Sequence, residues 1–237
     1  MQKFNKDSNG YNIFVEEYEN GESNYISLIK KTFQKKSSKV PNWILEMNGM
    51  SGKKYRHFIN NLIRKVNDPR YLEIGCWKGS TSCSAICNND VVAYCIDNWS
   101  EFGGPKDIFC DNVQKCVEEC GDIDITFVES DFRNIDYNDI GKYNVYLFDG
   151  PHRGQDHYDG LFFPQSALED EFIFICDDWN WKKVREGTLS AIEKLNLNIV
   201  YSLEVKTTSD DTYPPENNTM ENSDWHNGYY ISVLKKK

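Results

Sequence analysis

From Tyr71 to Leu234 the chain repeats one pattern: a short apolar, β-prone run, a turn, then a helical or polar stretch. The runs are YLEIG at 71–75, VVAYCID at 91–97, ITFVES at 125–130, NVYLFD at 144–149, FIFICDD at 172–178, NIVYSLEV at 198–205 and GYYISVL at 228–234. They are nearly continuous in apolar character rather than alternating, as strands must be when both faces of their sheet are covered. Such strands separated by helical stretches specify an α/β fold, a Rossmann-like, doubly wound sheet of seven mostly parallel strands. Helices are expected over 81–88, 107–120, 155–167 and 184–194. Upstream, Ile26, Ile29 and Phe33, then Tyr55, Phe58, Leu62 and Val66, recur at helical spacing and predict two N-terminal helices. Between them VPNWILEMNGMSGKK (40–54) is broken by Pro41, Gly49 and Gly52, which suits a loop crossing a pocket. Residues 1–24 show no sustained period and are expected to form a mobile arm, and the tract 207–224 a long surface loop.

At 237 residues the chain is long enough for one large domain with an N-terminal appendage. Lys and Arg number 27 against 37 Asp and Glu, a net charge of −10. That balance argues against nucleic acid or an anionic membrane as partner and favours a small molecule. The opening MQKFNKDSNGYN has no apolar core, and no apolar run approaches the ~20 residues of a membrane span, so a cytoplasmic location is expected. The eight cysteines (76, 83, 87, 95, 110, 116, 120 and 176) contain no C-x-x-C pair and match no zinc template. All are expected to be reduced, structural thiols.

YLEIGCWKGSTS is a strand, a glycine-bearing turn and a helix start. Gly75 and Gly79 permit close backbone approach, and Ser80 can cap the next helix. Asp97 and Asp131 close the next two strands, on the edge where open α/β sheets bind ligands. A carboxylate at Asp97 can accept from ribose hydroxyls and one at Asp131 from an exocyclic amine, although each alone could equally cap a helix.

This ordered set, E-I-G-x-x-x-G-S followed by acids ending the second and third strands, resembles the class I S-adenosylmethionine-dependent methyltransferases over residues 70–235. GYYISVL after its long loop looks like the antiparallel last strand of that fold. The resemblance implies a methyltransferase domain at 69–237, with the arm and helices of 1–68 covering the cofactor pocket. It also implies that Glu73, Gly75, Gly79, Ser80, Asp97, Asp131 and Asp149 contact S-adenosylmethionine. Cys76 and Trp77 depart from the pattern, since many members carry glycine where Trp77 stands.

NVYLFDGPH ends a buried strand in Asp149 and sets His152 three residues on, and the next strand ends in Asp177 and Asp178. Three carboxylates from adjacent strand ends suit Mg²⁺, and a histidine beside them suits a general base. The spacing resembles metal-dependent catechol and macrolide-sugar O-methyltransferases, which implies Asp149, Asp177 and Asp178 as metal ligands and His152 as base. The shorter Asp177 stands where some relatives have glutamate, which leaves its direct coordination open. The expected activity is methyl transfer to a hydroxyl of a small molecule, sugars among them. Trp99, Phe102, Trp179 and Trp181 are candidate acceptor-pocket aromatics, with Trp225 and His226 beside them; Ser51 or Lys53 could meet the cofactor carboxylate. The competing expectations are a metal-independent transferase, a cofactor-binding protein without turnover, and, less well matched because G-x-G-x-x-G is missing, an NAD-dependent oxidoreductase. Homo-oligomerisation is left open.

Overall fold

A computed structural model describes residues 3–7, 10, 12–121, 123–208 and 224–237. The stretch 209–223 of the expected surface loop lies outside them. The described strands are β1 (Lys3–Lys6), β2 (Asn12–Glu19), β3 (Arg70–Ile74), β4 (Val92–Asp97), β5 (Asp124–Glu129), β6 (Tyr143–Phe148), β7 (Leu168–Cys176), β8 (Asn198–Lys206) and β9 (Tyr229–Lys235). They form one sheet in the order β1-β2-β8-β9-β7-β6-β3-β4-β5. Strands β3 to β7 pair in parallel, whereas β9 runs antiparallel between β7 and β8, as the sequence resemblance implied.

The helices are α1 (Asn24–Phe33), α2 (Asn42–Leu45), α3 (Lys53–Ile63), α4 (Ser80–Ile86), α5 (Lys106–Cys120), α6 (Gly154–Phe162) and α7 (Lys182–Lys194). They divide between the two faces of the sheet, and the strand period of two assigns the side chains. Along β6, Val145 and Leu147 join the core under α1, α3, α4 and α5, while Tyr146 and Phe148 join the core under α6 and α7. The same alternation turns Glu73, Asp97, Asp149 and Asp177 toward the first of these faces, because each lies an even number of positions from a residue of that core.

Two expectations are overturned. Residues 12–19 are not a mobile arm: β2 extends the sheet along β8, from Phe14 opposite Lys206 to Glu19 opposite Tyr201. Its buried Ile13 and Val15 flank a half-buried Phe14, and Glu16 to Glu19 are exposed, so the apolar run was too short to stand out. Nor are all cysteines free. Cys87 and Cys120 form a disulfide across α4 and α5, whose Cα atoms there are 5.3 Å apart, while the other six remain thiols. A pair separated by 33 residues could be found only once the two crossover helices were seen side by side. Among the described residues no helix is long and apolar enough to cross a membrane.

Candidate active site

A cleft opens at the carboxyl ends of β3, β4 and β6, lined by Glu73, Gly75, Trp77, Asp97, Asp131 and Asp149 together with Met50, Trp99, Phe102 and His152. Gly75 is essential to its floor. At φ +90° it occupies the left-handed region, and a Cβ there would stand 1.7 Å from the Asp149 carbonyl oxygen. Trp77 also takes a positive φ, 44°, so it adopts without a glycine the conformation that glycine supplies in many chains of the resembled family. Gly79, at φ +83°, caps α4.

Asp97 ties this loop together. Its carboxylate accepts from the Cys76 and Trp77 amides at 2.7 and 2.8 Å and from the Trp99 amide at 2.7 Å. A carboxylate has about four acceptor positions, so three backbone bonds leave room for one ribose hydroxyl rather than two. Asp131 lines the cleft and caps a short 3-10 turn through the Arg133 amide at 2.9 Å. Ser80 is buried, with its hydroxyl 3.0 Å from that of Ser51.

Ser51 belongs to the loop of residues 46–52, which the sequence placed over the pocket but whose support it did not reveal. Arg56, buried on α3, donates to the carbonyls of Ile44, Leu45 and Met47 at 2.7, 3.1 and 2.8 Å and to Ser51 at 3.0 and 3.1 Å. One guanidinium thus gathers the carbonyls of this loop around a single buried charge. Lys53 pairs instead with Glu46 at 2.6 Å.

Past Gly75 the character of the cleft changes. Glu73 is buried and accepts from the Tyr71 hydroxyl at 2.9 Å, and burial pushes its carboxyl up to about 8. Asp149 is raised to about 7 by burial and by Asp178. Asp177 is buried and raised by burial and by Asp149, with which it shares a carboxyl-to-carboxyl hydrogen bond that requires a proton. For Asp178 burial opposes ionisation, but His152 and Asn227 hold it below the usual carboxylate range. The bonds are 2.8 Å from His152 Nε2 and 2.8 Å from Asn227 Nδ2. His152 is in turn raised above its ordinary value, since Asp178 outweighs the effect of burial.

The ligand atoms of Asp149, His152 and Asp178 lie within 4.8 Å of one another. Asp177 stands behind this group, bonded to Asp149 and to the Asp178 amide at 2.8 Å. The donor set, two carboxylates and an imidazole with excess negative charge, fits a hard divalent cation. Beneath it Tyr55 and Tyr229 stack at 3.8 Å, and their buried hydroxyls have no partner among the described residues. Neither tyrosine, nor Asn227, carries a motif that sequence reading could have used.

The aromatic candidates separate. Phe102 is exposed and its ring lies 6.4 Å from that of His152, and the Trp181 ring lies 5.3 Å from it. Trp99 lines the cleft and donates to the Trp77 carbonyl at 2.8 Å. Trp179 is not in the cleft: it is fully buried, stacked on Tyr230 at 4.3 Å and bonded to Glu204. Trp225 is likewise core, beside Phe33 and Tyr55. His226 sits near enough to Asp178 for their charges to interact. His157 is buried on α6 against Cys176 and held neutral, at about 3, by burial.

The chain was compared with known proteins at three levels. No family model and no curated protein matches it. Solved structures do. An O-methyltransferase from Bacillus cereus in complex with S-adenosylhomocysteine aligns at 10% identity over 89% of each chain, with a TM-score of 0.52. A protein from Pyrococcus horikoshii named as a candidate RNA methyltransferase aligns at 11% identity over 91% of this chain and 98% of its own, TM-score 0.50. TrmN from Thermus thermophilus aligns at 11% identity over 78% of this chain, TM-score 0.51; the match spans 48% of TrmN. The fold is the Rossmann-like methyltransferase fold. Its antiparallel β9 and its cleft at the carboxyl ends of β3, β4 and β6 occupy the positions the sequence resemblance required.

Proposed function

We propose that this chain is an S-adenosylmethionine-dependent methyltransferase acting, with Mg²⁺, on a hydroxyl of a small molecule. The observation that carries the reading is the convergence of Asp149, His152 and Asp178 within 4.8 Å at the end of a cleft whose other side is the Gly75 to Asp97 loop. The cofactor, when bound, supplies an electrophilic methyl carbon on a sulfonium. Gly75, Trp77, Asp97 and Asp131 would bind its nucleoside part, with Glu73, Gly79 and Ser80 supporting the turn. Asp149 and Asp178, with Asp177 behind them, would hold the cation, which lowers the pKa of an acceptor hydroxyl. His152 would take the hydroxyl proton on Nε2 once that nitrogen is free of Asp178. Phe102 and Trp181, both beside the imidazole, would pack against the acceptor's carbon skeleton and exclude water. The net charge of −10 and the acids of the rim favour an uncharged or cationic acceptor over a phosphate-bearing one.

Calorimetry with S-adenosylhomocysteine tests the cofactor: saturable binding at one per chain is expected, and none at millimolar ligand rejects the reading. A metal-free transfer is the second reading, favoured by the 2.8 Å His152–Asp178 pair, which is already a base and its orienting acid. Activity unchanged by strong chelation would select it.

A further inference from the structure

Outside the cleft, the most concentrated chemistry is sulfur. Cys83 and Cys87 stand four apart on α4 and its C-cap, and Cys116 and Cys120 stand four apart on α5. In a helix that spacing puts both side chains on one face. The two helices follow neighbouring parallel strands and lie side by side: a Cβ at Gly79 would meet the Phe109 ring at 3.0 Å, Cys83 meets Cys116, and Cys87 meets Cys120. The result is two rungs of paired sulfurs. The sulfurs of Cys87, Cys116 and Cys120 lie within 4.8 Å of one another, and Cys116 Sγ also reaches the Cys83 carbonyl at 3.7 Å.

We propose that, with the Cys87–Cys120 disulfide reduced, Cys87, Cys116 and Cys120 form a three-thiolate binding site for a Zn²⁺-class ion. Sulfurs held at about 2.3 Å by a tetrahedral ion are roughly 3.8 Å apart, and the three sulfurs of this group lie within 4.8 Å of one another. Cys87 and Cys116 are buried and Cys120 is half-buried, so the group is largely shielded from solvent. The Asn88 side-chain amide donates to Cys87 Sγ at 3.2 Å, the kind of outer contact that orients a thiolate ligand. Both helices point their carbonyl ends toward the outer rung, which favours a cation there. The absence of C-x-x-C is therefore no obstacle, since that spacing serves turns whereas C-x-x-x-C serves a helix face. Opening the disulfide takes two electrons and two protons from an added dithiol, and metal binding then displaces the thiol protons.

The test is a titration of the full chain, reduced and kept under argon, with Co²⁺ followed by Zn²⁺. One Co²⁺ per chain is expected, with a thiolate-to-metal charge-transfer band that Zn²⁺ abolishes. The Asp149, His152 and Asp178 group has no sulfur and cannot give that band, so the two sites are read separately. Cys116→Ser, outside the disulfide, should weaken Co²⁺ binding by about 10-fold or more, and Cys110→Ser should leave it unchanged. A fully reduced chain without the band, or a band indifferent to Cys116→Ser, overturns the proposal.

Discussion

The two sides of the cleft handle negative charge in opposite ways. On the β4 side, Asp97 spends its carboxylate on three backbone amides at 2.7 to 2.8 Å, so its charge is compensated by the loop it shapes. On the β6 and β7 side, Asp149 and Asp178 converge on one imidazole with Asp177 behind them, and Asp149 and Asp177 are raised well above the usual carboxylate range by burial and by neighbouring carboxylates. The first arrangement is complete without a ligand. The second becomes electrostatically balanced only with further positive charge, and it is therefore where binding energy and chemistry would be gained at the expense of stability.

His152→Ala should produce the largest effect. Loss of a positioned base costs about 10²- to 10⁴-fold in turnover, and the substitution removes a partly exposed side chain whose hydrogen-bonded partner among the described residues is Asp178. Methyl-transfer assays should show that loss while calorimetric affinity for S-adenosylhomocysteine stays within error. In the wild type, His152 is raised above 6.5 by Asp178, so the rate should rise with pH through a value above that figure as the imidazole loses its proton. A pH-independent rate between 6 and 9 would remove His152 from the role of base.

Asp97→Ala should produce a smaller effect of a different kind. It strands three amides in the cofactor loop, and hydrogen bonds to a charged partner contribute about 1.5 to 3 kcal/mol apiece before relaxation and water recover part of it. A net loss near 3 kcal/mol in urea unfolding is expected, with cofactor-product binding weakened in parallel. If Asp97→Ala lost binding but kept its stability, the backbone bonds would be incidental and the comparison between the two sides would fail.

How much of this was legible in the sequence follows from the same physics. The strand runs and the acids at their ends were visible because a buried parallel strand must be apolar until it exits, and its first polar residue then marks the ligand-binding edge. β2 was not visible, because its apolar run Ile13-Phe14-Val15 is short and the rest of the strand, Glu16 to Glu19, is exposed. Arg56 was unreadable for another reason: an arginine on an amphipathic helix looks solvent-facing unless the carbonyls of the loop above it are known. Trp179 and Trp181 show the limit at its narrowest. They are two apart in one turn, and only the fold separates them: Trp179 is fully buried against Tyr230, while Trp181 is half-buried with its ring 5.3 Å from that of His152.

Asp149→Asn should produce the smallest and most telling effect, because it is expected to stabilise the apo chain. In the fold Asp149 holds its proton up to about 7, whereas its ordinary value is 3.8. The unfolded chain therefore releases this proton at lower pH than the folded one, so the wild type loses stability as pH rises from about 4 to about 7, by up to roughly 1.4 kcal/mol per pH unit. An asparagine can still accept from the Asp177 carboxyl through Oδ1 and never ionises, so that loss should vanish. Thermal melts at pH 4 should place the two chains together, and melts at pH 7 should place Asp149→Asn above the wild type. Adding Mg²⁺ at pH 7 should reverse the order, since only the wild type retains both carboxylates of the cation group. A variant less stable than wild type at every pH would mean that Asp149 is a satisfied structural acid like Asp97, and that the two sides of the cleft do not differ in kind.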